Sequence, residues 1–268
     1  MDLEIAGKTC LITGGSSGIG LGIAKVLAQE GVHLAIASRR PDPKVIEELQ
    51  HFGTTVVPIS ADVSKEEDAV RMVEESIEKL GHLDFYVNNA AWTWHQSITK
   101  LDSESWYNTI NTNLSGAVFA CRTAARHMVQ RRQGAFVIIS STSKFTPGYT
   151  ETAYRCSKMG LDALMQNLAT ELAPFGIRSN MVTPGHFVTR MTGWDRLDKT
   201  LVEKFRDHYI PMRRYGETQE VGYAVALLLS DKCSGYTTGA DIVVDGGLSL
   251  GPIKVITDDE IKALNQIE

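Results

Sequence analysis

The chain has 268 residues, 43% of them hydrophobic and 22% charged, which suits one large globular domain over 1–268. Its formal charge of −5, with Lys and Arg scattered apart from pairs such as Arg39-Arg40, leaves no basic footprint for nucleic acid. Cys10, Cys121, Cys156 and Cys233 are far apart, with no Cys-x-x-Cys. They indicate reduced thiols in a cytoplasmic protein and argue against a disulfide framework or a metal site. No apolar run approaches the roughly 18 residues of a membrane span, and Asp2 and Glu4 interrupt the start where a secretory signal would need an apolar core.

Strand-like and helix-like runs alternate from the beginning. They predict βαβ units in a Rossmann-type, doubly wound α/β domain with a seven-stranded, mostly parallel sheet and helices on both faces. Residues 9–13 read as a strand, 19–29 as a helix closed by Gly31, 32–38 as a second strand, 44–51 as a short helix, and 54–60 as a third strand. Ser64-Lys65-Glu66-Glu67 has capping-box spacing, and Val70, Val73, Ile77 and Leu80 then recur at helical intervals before Gly81. Residues 83–88 give the fourth strand, and one long helix is expected over 103–129. The β-branched and aromatic run 135–139 reads as a buried strand ending at Ser140-Ser141. A helix over 151–172 carries an apolar face of Leu161, Leu164, Met165, Leu168 and Leu172. Residues 177–182 form a sixth strand, 219–229 a helix and 240–244 a seventh strand. The segment 191–215 has no clear element and is expected to be a substrate-loop insertion that acts as a lid. Residues 250–268 form a tail in which Thr257 to Glu260 has capping-box spacing for a short helix.

Two segments carry chemistry. Thr13-Gly14-Gly15-Ser16-Ser17-Gly18-Ile19-Gly20 joins the first strand to the first helix. Glycines at such a turn let backbone approach a pyrophosphate while the helix amides face its charge. Gly14, Ser16, Ser17, Gly18, Ile19 and Gly20 are therefore candidate cofactor contacts. At the end of the second strand, where a carboxylate would bind the ribose hydroxyl of NAD, the chain has Ser38-Arg39-Arg40. A guanidinium there suits the 2′-phosphate of NADP. In the second segment Tyr154 and Lys158 stand four residues apart on one helical face, with Ser141 thirteen residues before the tyrosine. An ammonium beside a phenol is expected to lower a pKa of about 10 toward general acid/base use. Ser141, at a strand's carboxyl end, lies on the edge where open α/β sheets bind ligands.

Together these residues resemble the short-chain dehydrogenase/reductase family, over nearly the whole chain. Asp62-Val63 is similar to the family's adenine-contacting pair, Asn88-Asn89-Ala90-Ala91 to its Asn-Asn-Ala-Gly, and Asp245-Gly246-Gly247 to its C-terminal signature. Asn113 falls where the family carries a catalytic asparagine. Pro184-Gly185, continuing to Phe187 and Thr189, resembles the loop on the nicotinamide side. The resemblance implies that Ser141 holds the substrate oxygen, Tyr154 exchanges its proton and Lys158 tunes the tyrosine and binds the nicotinamide ribose. Asn113 would hold a water that relays protons through Lys158. It also implies Asp62, Val63, Asn89, Ala90, Pro184, Gly185, Phe187 and Thr189 as cofactor contacts, and a homodimer or homotetramer assembled through the helices of 103–129 and 151–172.

Three positions depart from the pattern: Ser17 where NADP-using relatives often carry a basic residue, Ala91 in place of glycine, and Lys144 where a small residue usually follows the serine. Trp92, Trp94, His95, Tyr149, Phe187 and Trp194 fall in loops expected to flank the site and give it apolar walls, and Cys156 is expected to be packed. The expected activity is an NADP(H)-dependent reduction of a ketone or oxidation of a secondary alcohol. The candidate substrates are 3-oxoacyl compounds and sugars or polyols, with an NAD-dependent sugar or polyol dehydrogenase as the alternative. A non-catalytic NADP redox sensor is the reading from a different class.

Overall fold

A computed structural model describes residues 2–189 and 198–251. Strand β1 (Thr9–Thr13) is buried at all five positions, so its continuous apolar run faces helices on both sides. It is followed by α1 (Gly18–Gln29), β2 (His33–Ser38), α2 (Pro43–Gln50), β3 (Val56–Ser60), α3 (Glu66–Leu80) and β4 (Phe85–Asn88). The second half holds α4 (Ser103–Ile110), α5 (Gly116–Arg131), β5 (Gly134–Ile139), α6 (Thr152–Leu172) and β6 (Ile177–Pro184). Then come α7 (Lys199–Tyr209), α8 (Thr218–Leu229), the short α9 (Asp231–Ser234) and β7 (Asp241–Val244).

The seven strands form one sheet in the order β3-β2-β1-β4-β5-β6-β7, and every pair is parallel. The expectation of a mostly parallel sheet thus sharpens to a wholly parallel one. One face packs on α1, α2 and α8 through Ile23, Leu27, Leu49, Val225 and Leu229, and the other on α3, α5 and α6 through Met72, Val73, Met128, Leu161 and Met165. The strand order reverses direction between β1 and β4, which opens a crevice at their carboxyl ends.

Three local expectations change. The helix expected over 103–129 is interrupted by a π turn at Asn111–Ser115, so α4 and α5 are separate. Such wide turns cluster at functional sites. The capping box at Ser64 does not form: α3 starts after Lys65, and the Ser64 hydroxyl instead donates to Asp62 Oδ1 at 2.7 Å. A capping box does close α8, between Glu217 and Glu220. Within 191–215 the described part is not a plain loop, since α7 occupies most of it; residues 190–197 lie outside the described residues. The helix expected near Thr257 and the aromatic Trp194 also lie outside them.

Candidate active site

The crevice between β1 and β4 continues into a cavity of about 290 Å³ that reaches from the glycine turn past Arg39 to Tyr154 and Lys158. The turn is set by contacts that leave no room for side chains. A Cβ on Gly20 would lie 2.2 Å from Gly14 O and 2.5 Å from Asn89 Nδ2, and Gly14 itself has φ +68°. Asn89 fastens the turn from the β4 side by donating from Nδ2 to Thr13 O at 2.9 Å. The Thr13 hydroxyl in turn accepts from the amides of Asn89 and Ala90 at 2.9 and 3.0 Å. The two strand ends are thereby locked, with the first residues of α1, Gly18, Ile19 and Gly20, at the cavity.

Gly14, Ser17, Gly18, Ile19, Gly20, Ser38, Arg39, Asp62, Val63, Asn89, Ala90, Tyr154, Lys158 and Thr189 all line this cavity. Ser16 is not one of the lining residues, but its hydroxyl lies 3.0 Å from that of Ser38, which is. Arg40 is exposed and not on the wall. The Asp62 carboxylate accepts from the amide and hydroxyl of Ser64, which fixes the chain after β3. Pro184 ends β6, and the Gly185 amide donates to Val244 O at 2.9 Å, away from the cavity. Phe187 is only 3% exposed and belongs to the apolar core, so it is not a wall of the site. Gly216 leaves the space its ring fills.

The residues present fit a dinucleotide. The glycine cradle is a space that a single Cβ would fill, and the buried Ser140 hydroxyl on the cavity wall has no hydrogen-bond partner. A buried hydroxyl left alone is costly, and Ser140 is one of the residues that line the cavity. Arg39, exposed at the far end, forms no ion pair with a carboxylate among the described residues.

Ser141 follows β5 and caps a 3₁₀ turn, Thr142–Lys144, its Oγ accepting from the Ser143 amide at 3.2 Å. Tyr154 enters the cavity from the first turn of α6, and Lys158 from the next. The Lys158 ammonium donates to Ile139 O at 2.9 Å and lies 5.6 Å from the Tyr154 ring centroid. Burial pushes the Tyr154 phenol up to about 12; the Ser141 hydroxyl pulls it down and Glu151 pushes it further up. Burial also lowers the Lys158 ammonium to about 8. The expected lowering of the phenol by Lys158 is not seen: burial is the largest influence on both groups, and it raises the phenol and lowers the ammonium.

Asn113 lies in the π turn, 1% exposed. Its Nδ2 donates to Trp92 O at 2.9 Å and to Ser157 Oγ at 3.0 Å, and its Oδ1 accepts from Trp92 N at 2.7 Å. Both side-chain N–H groups are thus used by protein. Ser157 passes the connection on by donating to Tyr154 O at 2.6 Å. Thr13, Ile139 O, Ser140 and Ser157 hold or line the site and were not singled out from sequence. Thr13 and Ser140 adjoin recognisable motifs, whereas Ile139 contributes a backbone atom that no side-chain pattern marks. Cys156, expected to be packed, is exposed, because it points off the outer side of α6 between Tyr154 and Lys158. Trp92 stacks on Trp94 at 6.4 Å between ring centroids, and Trp94 and Tyr149 are exposed.

Comparison with known proteins gives the family. A family model described as enoyl-(acyl carrier protein) reductase matches residues 14–249. The L-rhamnose 1-dehydrogenase (NAD(P)(+)) of Azotobacter vinelandii is 35% identical over 248 residues, covering 90% of this chain and 96% of that protein. A 3-oxoacyl-acyl-carrier-protein reductase of Staphylococcus aureus is 34% identical over 244 residues, covering 90% and 98%. Among solved structures, the 3-oxoacyl-acyl-carrier-protein reductase of Brucella melitensis in complex with NAD matches with a TM-score of 0.86 at 32% identity, covering 92% and 98%. The fold and the cavity are those of a doubly wound oxidoreductase. The chain belongs to the short-chain dehydrogenase/reductase family.

Proposed function

We propose that the protein is an NADP(H)-dependent oxidoreductase that interconverts a ketone and a secondary alcohol. The observation that carries this reading is the single cavity shared by the glycine turn, Arg39, Tyr154 and Lys158. Bound there, NADP(H) would supply or accept the hydride at the carbonyl carbon. The glycine-turn amides would hold its pyrophosphate, Asp62 and Val63 would flank its adenine, and Arg39 would pair with the 2′-phosphate. Ser141 would donate a hydrogen bond to the carbonyl oxygen. Tyr154 would give that oxygen its phenolic proton as the alcohol forms and take it back in the reverse direction. Lys158, anchored on Ile139 O, would keep a positive charge beside the tyrosinate left after proton transfer. Asn113 holds Trp92 and Ser157 in register and so would support the proton path through Lys158.

The relatives divide over substrate, one being a rhamnose dehydrogenase and others 3-oxoacyl reductases. The rhamnose enzyme's NAD(P)(+) and the NAD in the Brucella structure favour, as a second reading, an NAD-using sugar or polyol dehydrogenase. We also place the protein in the cytoplasm, where its four cysteines, none of them in a disulfide among the described residues, would stay reduced. Tyr107, Val118 and Met159, exposed on α4, α5 and α6, support a homo-oligomer assembled on those helices.

A panel of 3-oxoacyl thioesters, simple ketones and sugars, assayed with NADPH and NADH or their oxidised forms, tests the proposal. Turnover of a ketone or secondary alcohol that is faster with the phosphorylated cofactor is the expected result. Tight NADPH binding with no turnover across the panel would instead identify a redox sensor.

A further inference from the structure

Lys144 is the departure from family pattern that the proposed chemistry does not use. It stands three residues after Ser141, and its side chain is 5% exposed although it carries a charge. A buried ammonium persists only where its protons are matched, and here all three are: Nζ donates to Asp162 Oδ1 at 2.8 Å, to Asp241 Oδ2 at 2.7 Å and to Met181 Sδ at 3.3 Å. Asp162 lies on α6, one turn beyond Lys158, and Asp241 is the first residue of β7. Asp241 is itself held by Thr183 of β6, whose hydroxyl donates to Oδ1 at 2.7 Å.

The backbone of Lys144 is tied as firmly as its side chain. Its amide donates to Ser141 O at 3.1 Å and closes the 3₁₀ turn. Its carbonyl accepts from Arg155 Nη2 at 3.2 Å, next to Tyr154 in sequence. The same turn directs the Ser141 hydroxyl, which bonds both the amide and the hydroxyl of Ser143. Serine and tyrosine come from separate elements, and Lys144 joins those elements directly.

We propose that Lys144 is a positioning residue for Ser141, an ammonium clasp that holds the serine turn against α6 and β7 and so sets the serine hydroxyl relative to Tyr154. This rests on the ketone/alcohol reading above. Loss of the ammonium would leave two carboxylates facing each other and free the turn. A displacement of about 1 Å in such a group can cost on the order of 10²-fold in rate.

A double-mutant cycle separates this role from general stabilisation. With Ser141 present, Lys144→Met is expected to lower kcat at least tenfold while the Kd for NADPH stays within twofold. In a Ser141→Ala background the same change is expected to lower kcat less than twofold, because the group that Lys144 positions is gone. An equal fractional loss in both backgrounds, or an unchanged kcat, would overturn the proposal. If Lys144→Met does not fold, Asp241→Asn, which keeps the ammonium and the side-chain volume, enters the same cycle under the same criteria. Hydrogen exchange over residues 141–146 provides a readout free of turnover, with at least tenfold faster exchange expected in the variant and none elsewhere in the sheet. A wild-type protein that turns over nothing would sink the ketone/alcohol reading, and the exchange comparison would then decide the clasp, equal rates ruling it out.

Discussion

Asn113 Nδ2 donates to Ser157 Oγ across 3.0 Å, joining the π turn between α4 and α5 to the helix that carries Tyr154 and Lys158. The same side chain closes a two-way hydrogen bond with the Trp92 backbone, so one buried amide fixes three segments.

Asn113→Ala should therefore leave the Trp92 amide and carbonyl without their partner. Each buried orphan costs roughly 1–3 kcal/mol, and a loss of about 2–4 kcal/mol is expected in urea unfolding, with kcat falling tenfold or more. Asn113→Asp, which keeps Oδ1 for Trp92 N, should retain more stability than the alanine variant.

Tyr154→Phe removes the proton donor and little else. Turnover is expected to fall by about 10²-fold or more, while NADPH still binds in a fluorescence titration. Near-normal turnover would exclude Tyr154 as the acid/base group. With the phenol pushed up to about 12, its proton is present throughout the neutral range. Alcohol oxidation, which needs the tyrosinate, should climb with pH, and ketone reduction, which needs the phenol, should not. Matching pH profiles in the two directions would contradict this assignment.

Arg39 faces the cavity and is exposed, so its pairing with a phosphate would be partly screened by water. Arg39→Ala is expected to weaken NADPH binding about tenfold, at the lower end for a charge-assisted contact, and to leave NADH binding within about twofold. Equal weakening of both would place Arg39 elsewhere than on the 2′-phosphate.

Lys158 is 2% exposed, meets no carboxylate among the described residues, and titrates near 8 rather than 10.5. The unfolded chain then binds the proton more tightly than the folded one, a folding penalty on the order of 3 kcal/mol that is complete below about pH 8. Between about pH 8 and 10.5 the folded lysine is neutral while the unfolded one is still charged, so the penalty fades as pH rises. Lys158→Met should accordingly raise stability at pH 7 while abolishing turnover, with a gain that shrinks through that window. A variant less stable than wild type at pH 7 would show that the Ile139 hydrogen bond outweighs the desolvation.

The strands were legible because parallel strands covered on both faces read as unbroken apolar runs, as in Cys10 to Ile12 and Phe136 to Ile139. The glycine turn and the Tyr154-Lys158 pair were legible because each is local, a few residues with a spacing that their secondary structure explains. The π turn was not, since Asn111-Thr112-Asn113-Leu114-Ser115 has no periodic mark. What distorts the helix there is tertiary: a Cβ at Gly116 would lie 2.0 Å from Val63 O, and Asn113 is claimed by Trp92 and Ser157. Lys144 looked like an oddity because its partner Asp241 lies 97 residues away. Ser64 looked like a cap because spacing alone cannot show that Asp62 would take its hydroxyl.

Strand β1 sits between β2 and β4, and its pairing with Phe85, Tyr86 and Val87 is the seam along which the two halves of the cavity meet. Closing that seam requires a chain excursion of about 75 residues, a slow, non-local step in folding. A dinucleotide lying across it would bind only the closed form, and at a hundredfold excess over its Kd would add about 2.7 kcal/mol against unfolding. The melting temperature of the protein thus becomes a direct way to rank nucleotide ligands with no substrate present.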